Sequence, residues 1–530
     1  MPPPMSLPYL TAPRWSWVPG ARGRAGLLFS GLLAMGLCLA GPLQASSGIE
    51  REQLEALVDW HLPSAVADVQ TWVRVPTVTA PPGSDTGADK TALLEAIAGR
   101  ARRLGLETRL LEDRVLVVET RGAAQAAADA LGILTHIDVV PAGDAARWEH
   151  PPFSGALAHD AIWGRGALDD KGPTAAVLHA MAALQELGLP LRRPVRLIIG
   201  SSEENLDWSD LEAVRRAGLV PAEGWAADAS FPVIHAEKGF LNLDLHFAGR
   251  EDAVLRALSG GTAPNSVPES ARALLRPADA DALFFRLGEA VAAYHRSHPE
   301  VDFILNRVDQ GQLELRALGR GAHGSMPEQG VNAVAHLARL LHQQWTFLGA
   351  DPQSMQARAL RFVAERVGLD PHGGELGIDH RHAAMGRTTV NAGSLKRESG
   401  GLTLALNIRA PSGLGNGEIA ERVARAATGY EARVEPRQAM DPLWVDPQAP
   451  LVRELLAAYA EATGETAQAV SIGGTTYAKA FPGFVAFGMA LPQDQGLMHA
   501  PNEHLRIETL RTGMLTYLIA LLRLAALPAR

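Results

Sequence analysis

The chain has 530 residues, of which 47% are apolar and 20% charged, with a formal net charge of −9. Such a composition can bury a sizeable core and excludes a disordered or coiled-coil chain. The absence of a Lys/Arg-rich block argues against a nucleic-acid footprint. The single cysteine, Cys38, rules out a disulfide framework and any cysteine-based zinc site, so metal chemistry would have to use His, Asp and Glu.

The first segment reads as an address. Arg14, Arg22 and Arg24 precede an apolar run from Ala25 to Ala40, and small residues surround Ala45. That order predicts a secretory signal over 1–45 and a periplasmic or secreted mature chain. The alternative is an uncleaved anchor, which Gly31, Gly36, Gly41 and Pro42 disfavour. No other stretch is long and apolar enough to span a bilayer.

Residues 50–106 carry Leu54, Leu57, Val58 and Trp60 at helical spacing and predict helices. Strands are predicted at 108–111 and 115–119. The run 131–140 has the apolar character of a buried parallel strand. A helix is predicted from Gly172 to about Leu187, and a buried strand at 195–200. Strand, helix, strand in this order indicates an α/β sheet. Beyond Phe240 the style changes to strict alternation at 241–247, 312–318 and 402–409, with helices between, which predicts an α+β insertion over 240–438. A helix at 450–463 and a strand near Val485 return to the first style. The predicted organisation is a signal at 1–45, a first domain in two parts, 46–239 and 439–530, and an inserted domain at 240–438.

Five places carry chemistry. His136 and Asp138, two residues apart on a predicted strand, would share a face at its carboxyl end, where open α/β sheets place their sites. His136 can ligate a metal, with Asp138 orienting the imidazole. Asp169 and Asp170 lie between glycines at a helix start. Such a pair is ordinarily a cap, but a carboxylate can also bridge two cations, and Asp169 is the candidate. Glu203 and Glu204 follow a buried strand. Two adjacent carboxylates there repel unless a positive group is present, and a pair of dications would use one as ligand and one as base. Asp228 and His499 complete the set. Each has an ordinary explanation alone. Together they form an O/N donor set suited to two zinc ions, or to manganese or cobalt.

Five ordered motifs then resemble one family: HisIleAspValValPro (136–141), GlyArgGlyAlaLeuAspAspLysGlyPro (164–173), SerGluGluAsn (202–205), AspAlaSerPheProValIleHisAlaGluLysGly (228–239) and MetHisAlaProAsnGlu (498–503). The chain resembles the di-zinc metallopeptidases that include carnosinase, acetylornithine deacetylase, succinyl-diaminopimelate desuccinylase and the glutamate carboxypeptidases, and is most similar to the dipeptidase (Xaa-His dipeptidase) branch. The resemblance implies an α/β/α catalytic domain with an inserted α+β, ferredoxin-like lid. It implies two divalent metal ions, most often Zn2+: Asp169 bridges them, His136 and Asp228 complete one, and Glu204 and His499 the other. Glu203 is then the general base, Asp138 holds the His136 imidazole, and a cis peptide joins Asp169 to Asp170. In the lid, Asn265 and His323 match residues that stabilise the oxyanion. Arg409 matches the arginine that grips the substrate carboxylate, beside a loop containing Gly473, Gly474 and Thr475. The implied activity is hydrolysis of unblocked dipeptides, with no nucleic-acid partner, by a monomer or a homodimer through the lid. The competing readings are an N-acyl-amino-acid deacylase of the same family and a non-catalytic binding protein on this fold.

Overall fold

The computed structural model describes residues 49–79, 88–121, 130–309, 311–398 and 400–525; the expected signal at 1–45 lies outside them. A mixed sheet organises the first domain. Its strands run in the order Glu107–Leu111, Val115–Glu119, Val195–Gly200, Leu131–His136, Glu223–Ala226, Phe484–Phe487, Val233–Glu237 and Leu443–Trp444, with Val470–Ile472 also pairing Val233–Glu237. The central four, from Val195–Gly200 to Phe484–Phe487, are parallel. Residues of Val115–Glu119 and of the central strands alternate between two apolar layers. Leu116, Val118, Leu197 and Ile199 enter one core, and Val115, Val117, Leu134 and Ile198 the other.

Against the first face pack the helices Arg51–Val73, Lys171–Glu186, Pro450–Thr463 and Ile507–Ala525. Lys171–Glu186 is buried from Lys171 through Leu184, as a helix apolar on every side must be. Pro173 in its first turn donates no N–H, at a place where none is needed. Pro450–Thr463 begins on proline and ends at Gly464 in the left-handed conformation, the expected start and stop. The other face carries the short helices Leu211–Arg216 and Tyr477–Ala480.

The run 131–140, expected as one strand, divides. Leu131–His136 lies between its two parallel neighbours, but Val139 then bridges to Val78, with Val139 N–H donating to Thr77 at 3.0 Å. His136 and Asp138 therefore do not share a strand face.

A second sheet has eight strands, all between Gly239 and Met440. Its order is Asp302–Asp309, Gln312–Leu318, Ser270–Leu275, Leu255–Gly260, Thr389–Glu398, Gly401–Ala410, Gly239–Ala248 and Ala432–Met440, antiparallel throughout. In Gly239–Ala248, Leu241, Leu243, Leu245 and Phe247 are buried, while Asn242, Asp244 and His246 are half-buried on the opposite face. The buried face is covered by the helices Ala280–Ser297, Ala333–Gln343, Met355–Phe362 and Asn416–Ala427. Only Lys238 separates Val233–Glu237 of the first sheet from Gly239–Ala248 of the second. The architecture is an α/β/α layer with an inserted α+β domain. Among the described residues no helix is long and apolar enough to cross a membrane.

Candidate metal centre

The parallel strands deliver the acidic residues to one edge. His136 ends Leu131–His136 opposite Gly200, and Glu203 and Glu204 follow Gly200. Ala226, on the other side, is paired with Leu134, and Asp228 follows it by two residues. Asp169 comes from the turn before Lys171–Glu186 and is joined to Asp170 by a cis peptide bond.

At the centre stands Asp169. Its Oδ1 lies 3.2 Å from His136 Nε2, and its Oδ2 lies 3.0 Å from His499 Nε2. The two oxygens of one carboxylate thus face two imidazoles. His136 Nε2 is also 3.6 Å from Asp228 Oδ1, and His499 Nε2 is 3.2 Å from Glu204 Oε2. Two donor groups result, His136 with Asp170 and Asp228, and Asp169 with Glu204 and His499, each able to hold a metal ion. Asp170, a member of the first group, is absent from the ligand set expected from the sequence; its Oδ2 accepts the His136 N–H at 3.0 Å.

The supporting residues fix these positions. His136 Nδ1–H donates to the Asp138 carbonyl at 2.9 Å, leaving Nε2 as the ligating nitrogen. The Asp138 carboxylate is farther, at 3.5 Å. It accepts instead the backbone N–H groups of Glu203 and Glu204, both at 3.1 Å, and the Thr79 hydroxyl at 2.9 Å. Asp210 Oδ2 accepts the preceding N–H groups of Ser201 and Ser202, at 2.6 and 3.1 Å, and the Tyr477 hydroxyl at 2.7 Å. A Cβ at Gly200 would collide with Tyr477 and Asp210, so this clamp requires glycine there. Glu503, fully buried, accepts the N–H groups of Gly166, Leu168 and Asp169 at 2.9, 3.0 and 3.2 Å and pairs with Arg165. His499 sits at φ 62, and Leu206, close after Glu204, at φ 61; left-handed backbone outside glycine is strained and concentrates at functional sites.

The charges are arranged for cations. Burial, reinforced by the charge of Asp228, pushes the Glu203 carboxyl well above its usual range. Burial likewise drives Asp228 up to about 7 against the pull of His136, with Asp169 adding to the rise. Burial would lower the His136 imidazole, but the carboxylates of Asp228, Asp138 and Asp169 outweigh it and raise it well above the ordinary histidine value. The same balance, with Glu204 and Asp169 as the acids, raises His499. Among the buried side-chain atoms with no hydrogen-bond partner are His136 Nε2, Asp170 Oδ1, Glu203 Oε1 and Glu204 Oε1. Buried polar atoms are ordinarily satisfied. A cluster that leaves four unsatisfied, with carboxylates in excess, fits a pair of dications.

A cavity of about 350 Å3 opens onto this cluster. Asp169, Glu203, Glu204, Asp228 and His499 line it, and so do Asn265, His323, Arg409, Gly474 and Thr475. His136 and Asp138 are fully buried behind it. Gly473 lies behind Arg409, its carbonyl accepting Arg409 Nη1–H at 3.2 Å. The His323 Nδ1 is held by the Ser325 hydroxyl at 2.6 Å, and Gly324 passes too close to the Asn265 backbone to carry a side chain. Arg409 is 6% exposed, packs over the Phe240 ring at 5.0 Å, and is lowered to about 10 by burial against the pull of Glu237. The sequence alone assigns no role to Asp210, Glu237 or Glu503. Glu503 stood inside a quoted motif four residues after His499, which was its one available signal.

The description Peptidase family M20/M25/M40 matches residues 132–523. A putative dipeptidase, YtjP, of Bacillus subtilis (strain 168) is 30% identical over 470 residues, 87% of this chain and 97% of its own. The putative dipeptidase SH1171 of Staphylococcus haemolyticus (strain JCSC1435) is 32% identical over 402 residues, 74% of this chain and 82% of its own. Human carnosine dipeptidase 1 superposes with a TM-score of 0.55 at 13% identity, over 90% of this chain and 99% of that one. The dipeptidase Dug1p from Saccharomyces cerevisiae does so with a TM-score of 0.55 at 12% identity, over the same shares. These two likenesses show the fold. The match along the sequence, together with the relatives, shows that the chain belongs to the M20/M25/M40 peptidase family.

Proposed function

We propose that this peptidase is a metal-dependent dipeptidase acting on unblocked dipeptides. The observation that carries the reading is the Asp169 carboxylate, whose two oxygens face His136 and His499 at 3.2 and 3.0 Å. Asp169, His136 and Asp228 are assigned to one ion, and Asp169, Glu204 and His499 to the other, with zinc the first choice and manganese or cobalt the alternatives. Bound there, two divalent ions supply Lewis acidity that makes water nucleophilic near neutral pH. Glu203, 5% exposed and with Oε1 unpartnered, is assigned as the base that takes the water's proton and returns it to the leaving amine. His323 and Asn265 are assigned to the developing oxyanion. Arg409, with the loop at 473–475, is assigned to the substrate's carboxylate, and the carboxylates of the cavity to its free amino group. A cavity of about 350 Å3 that grips both ends of its substrate favours short substrates. The names of the relatives, putative dipeptidases, agree with this reading.

Asn265 and His323 line the same cavity as Glu203 within one chain, which supports a self-contained monomer; a homodimer through the lid is the alternative, and gel filtration separates the two. We assign 46–239 and 439–530 to the catalytic domain and 240–438 to the lid, and 1–45 to a cleaved signal that would direct the enzyme to the periplasm or outside the cell. The test is a panel of free dipeptides and N-acetyl amino acids, assayed with and without chelator. Chelator-sensitive turnover of the dipeptides supports the reading. Preference for N-acetyl amino acids would make the protein a deacylase, and absence of stoichiometric zinc or manganese together with no turnover of either class a binding protein.

A further inference from the structure

A second set of metal-type donors lies in the lid. Helix Ala280–Ser297 ends at His298, and Glu300 follows; His336 belongs to helix Ala333–Gln343. One nitrogen of each imidazole and one Glu300 oxygen lie within 4.8 Å of one another. Glu300 Oε1 is 3.2 Å from His298 Nδ1 and 3.9 Å from His336 Nε2. Tetrahedral zinc with ligands at about 2.0–2.2 Å needs donors roughly 3.3–3.5 Å apart. Closing the 3.9 Å contact with His336 to that spacing is a movement of exposed Glu300, and the two imidazole nitrogens, within 4.8 Å of each other, would close on the ion as it binds.

The rings are held in advance. The Tyr294 hydroxyl meets His336 Nδ1 at 3.0 Å, an outer contact that directs Nε2 toward Glu300. The Tyr294 ring packs on His298 at 4.5 Å between centroids. The three donors line a cavity of about 470 Å3 whose other charged lining residues are Glu328 and Asp370, with no lysine or arginine among them. An ordinary surface ion pair explains His298 with Glu300. It does not explain a buried second imidazole, oriented by a tyrosine, on the same carboxylate.

We propose that His298, Glu300 and His336 form a third cation site, binding one divalent transition-metal ion of the zinc type within the lid. The site ties the end of helix Ala280–Ser297 to helix Ala333–Gln343. The second helix follows directly from the loop that carries His323. Its N-cap, Asn332, accepts Ala335 N–H at 3.1 Å and donates to Asn391 and Ala392, both at 3.1 Å. A bound ion would therefore brace the base of the His323 loop without touching the reacting atoms.

The test counts ions on the full chain. Chelator-stripped protein is titrated with zinc chloride by calorimetry and the bound metal is counted by elemental mass spectrometry. Wild type should bind three equivalents, and His336→Ala two. Glu300→Gln, at an exposed position that leaves the fold intact, should weaken the third equivalent at least tenfold, with unchanged circular dichroism as the folding check. In Asp169→Asn/His499→Ala, which removes the catalytic ligands, one equivalent should remain and should vanish when His336→Ala is added. Wild type saturating at two equivalents overturns the lid site, as does a third that survives both lid substitutions. A wild-type protein that binds a single ion, lost in His336→Ala, would instead uphold the lid site and overturn the catalytic pair.

Discussion

The Asp138 carboxylate takes the backbone N–H of Glu203 on one oxygen at 3.1 Å and that of Glu204 on the other, also at 3.1 Å. One buried side chain thereby sets the position of the proposed base and of a proposed metal ligand, while its carbonyl fixes the His136 ring. Asp138→Ala leaves these donors without a buried partner, at about 1–3 kcal/mol each. The expected outcome is a loss of about 3 kcal/mol in unfolding free energy and of at least 100-fold in kcat/KM. Denaturant melts and kinetics on the same preparation check both. Near-normal activity would show that the Glu203–Glu204 turn holds itself.

Glu203→Gln preserves shape and removes the base. Turnover should fall by about 10³ or more, the upper range for loss of general acid–base help. Bound metal should stay at the wild-type level, because Glu203 belongs to neither donor group around Asp169. Elemental analysis separates this outcome from a variant that is inactive only because its metal is gone.

Arg409 is buried in one wall of the cavity, with Nε donating to Asn407 at 3.2 Å and Nη1 toward the 473–475 loop. Arg409→Ala should raise KM for free dipeptides by about 100-fold, the scale of one buried charge-assisted pair. For dipeptide amides, which lack the carboxylate, KM should change little. Equal losses on both substrates would assign Arg409 to the architecture instead.

His323 is pushed down to about 4 by its burial and by the positive charges of Arg409 and His499. Its folded value lies below the unfolded value of about 6.5, so protonation favours the unfolded chain. This contribution to stability is fully present above about pH 6.5 and is lost as the pH falls toward 4. The imidazole is neutral across pH 5–8. His323→Gln should therefore lower kcat/KM by about 100-fold while leaving the midpoint of the acid limb where it was. A displaced or missing acid limb in the variant would mean that His323 titrates in the working range.

Removing the metals should destabilise the fold as well as stop catalysis. Ligands that bind only the native state contribute about 4 kcal/mol at a thousandfold excess over Kd. Without them the buried carboxylates repel. Chelator should lower Tm by several degrees, and zinc, manganese or cobalt should restore it. An unchanged Tm with restored activity would mean that the ions bind weakly, or bind the unfolded chain as well as the native one.

Local patterns made much of the fold legible. The alternation at 241–247, 312–318 and 402–409 marks strands, and Gly239–Ala248, Gln312–Leu318 and Gly401–Ala410 stand there. The first two face a core on one side, whereas Gly401–Ala410 is buried on both, its polar Thr403, Asn407 and Arg409 included. Pro450 and Gly464 bracket a helix whose bounds match the expected 450–463. The run 131–140 misled because hydrophobicity reports burial and not pairing. Its last residues are buried by a bridge to Val78 and not by the sheet. The strands Leu255–Gly260, Ser270–Leu275, Asp302–Asp309, Thr389–Glu398 and Ala432–Met440 passed unread, since pairing within the lid sheet outweighs weak local preference.

By itself the sequence determined the chemical inventory: one imidazole and three acidic positions near strand or helix ends, a late histidine, and a lid block carrying Asn265, His323 and Arg409. Each is a local fact of residue type and spacing. Only the tertiary structure decided that Asp169 offers one oxygen to His136 and the other to His499, that Asp138 serves Glu203 and Glu204 through its carboxylate and His136 through its carbonyl, and that Glu503 fixes the Asp169 turn. Apart from that of Asp138 with His136, two positions away, those relations join residues tens to hundreds of positions apart. They depend on register between parallel strands and on which buried hydrogen-bond partners meet, and neither is written in any single stretch of chain.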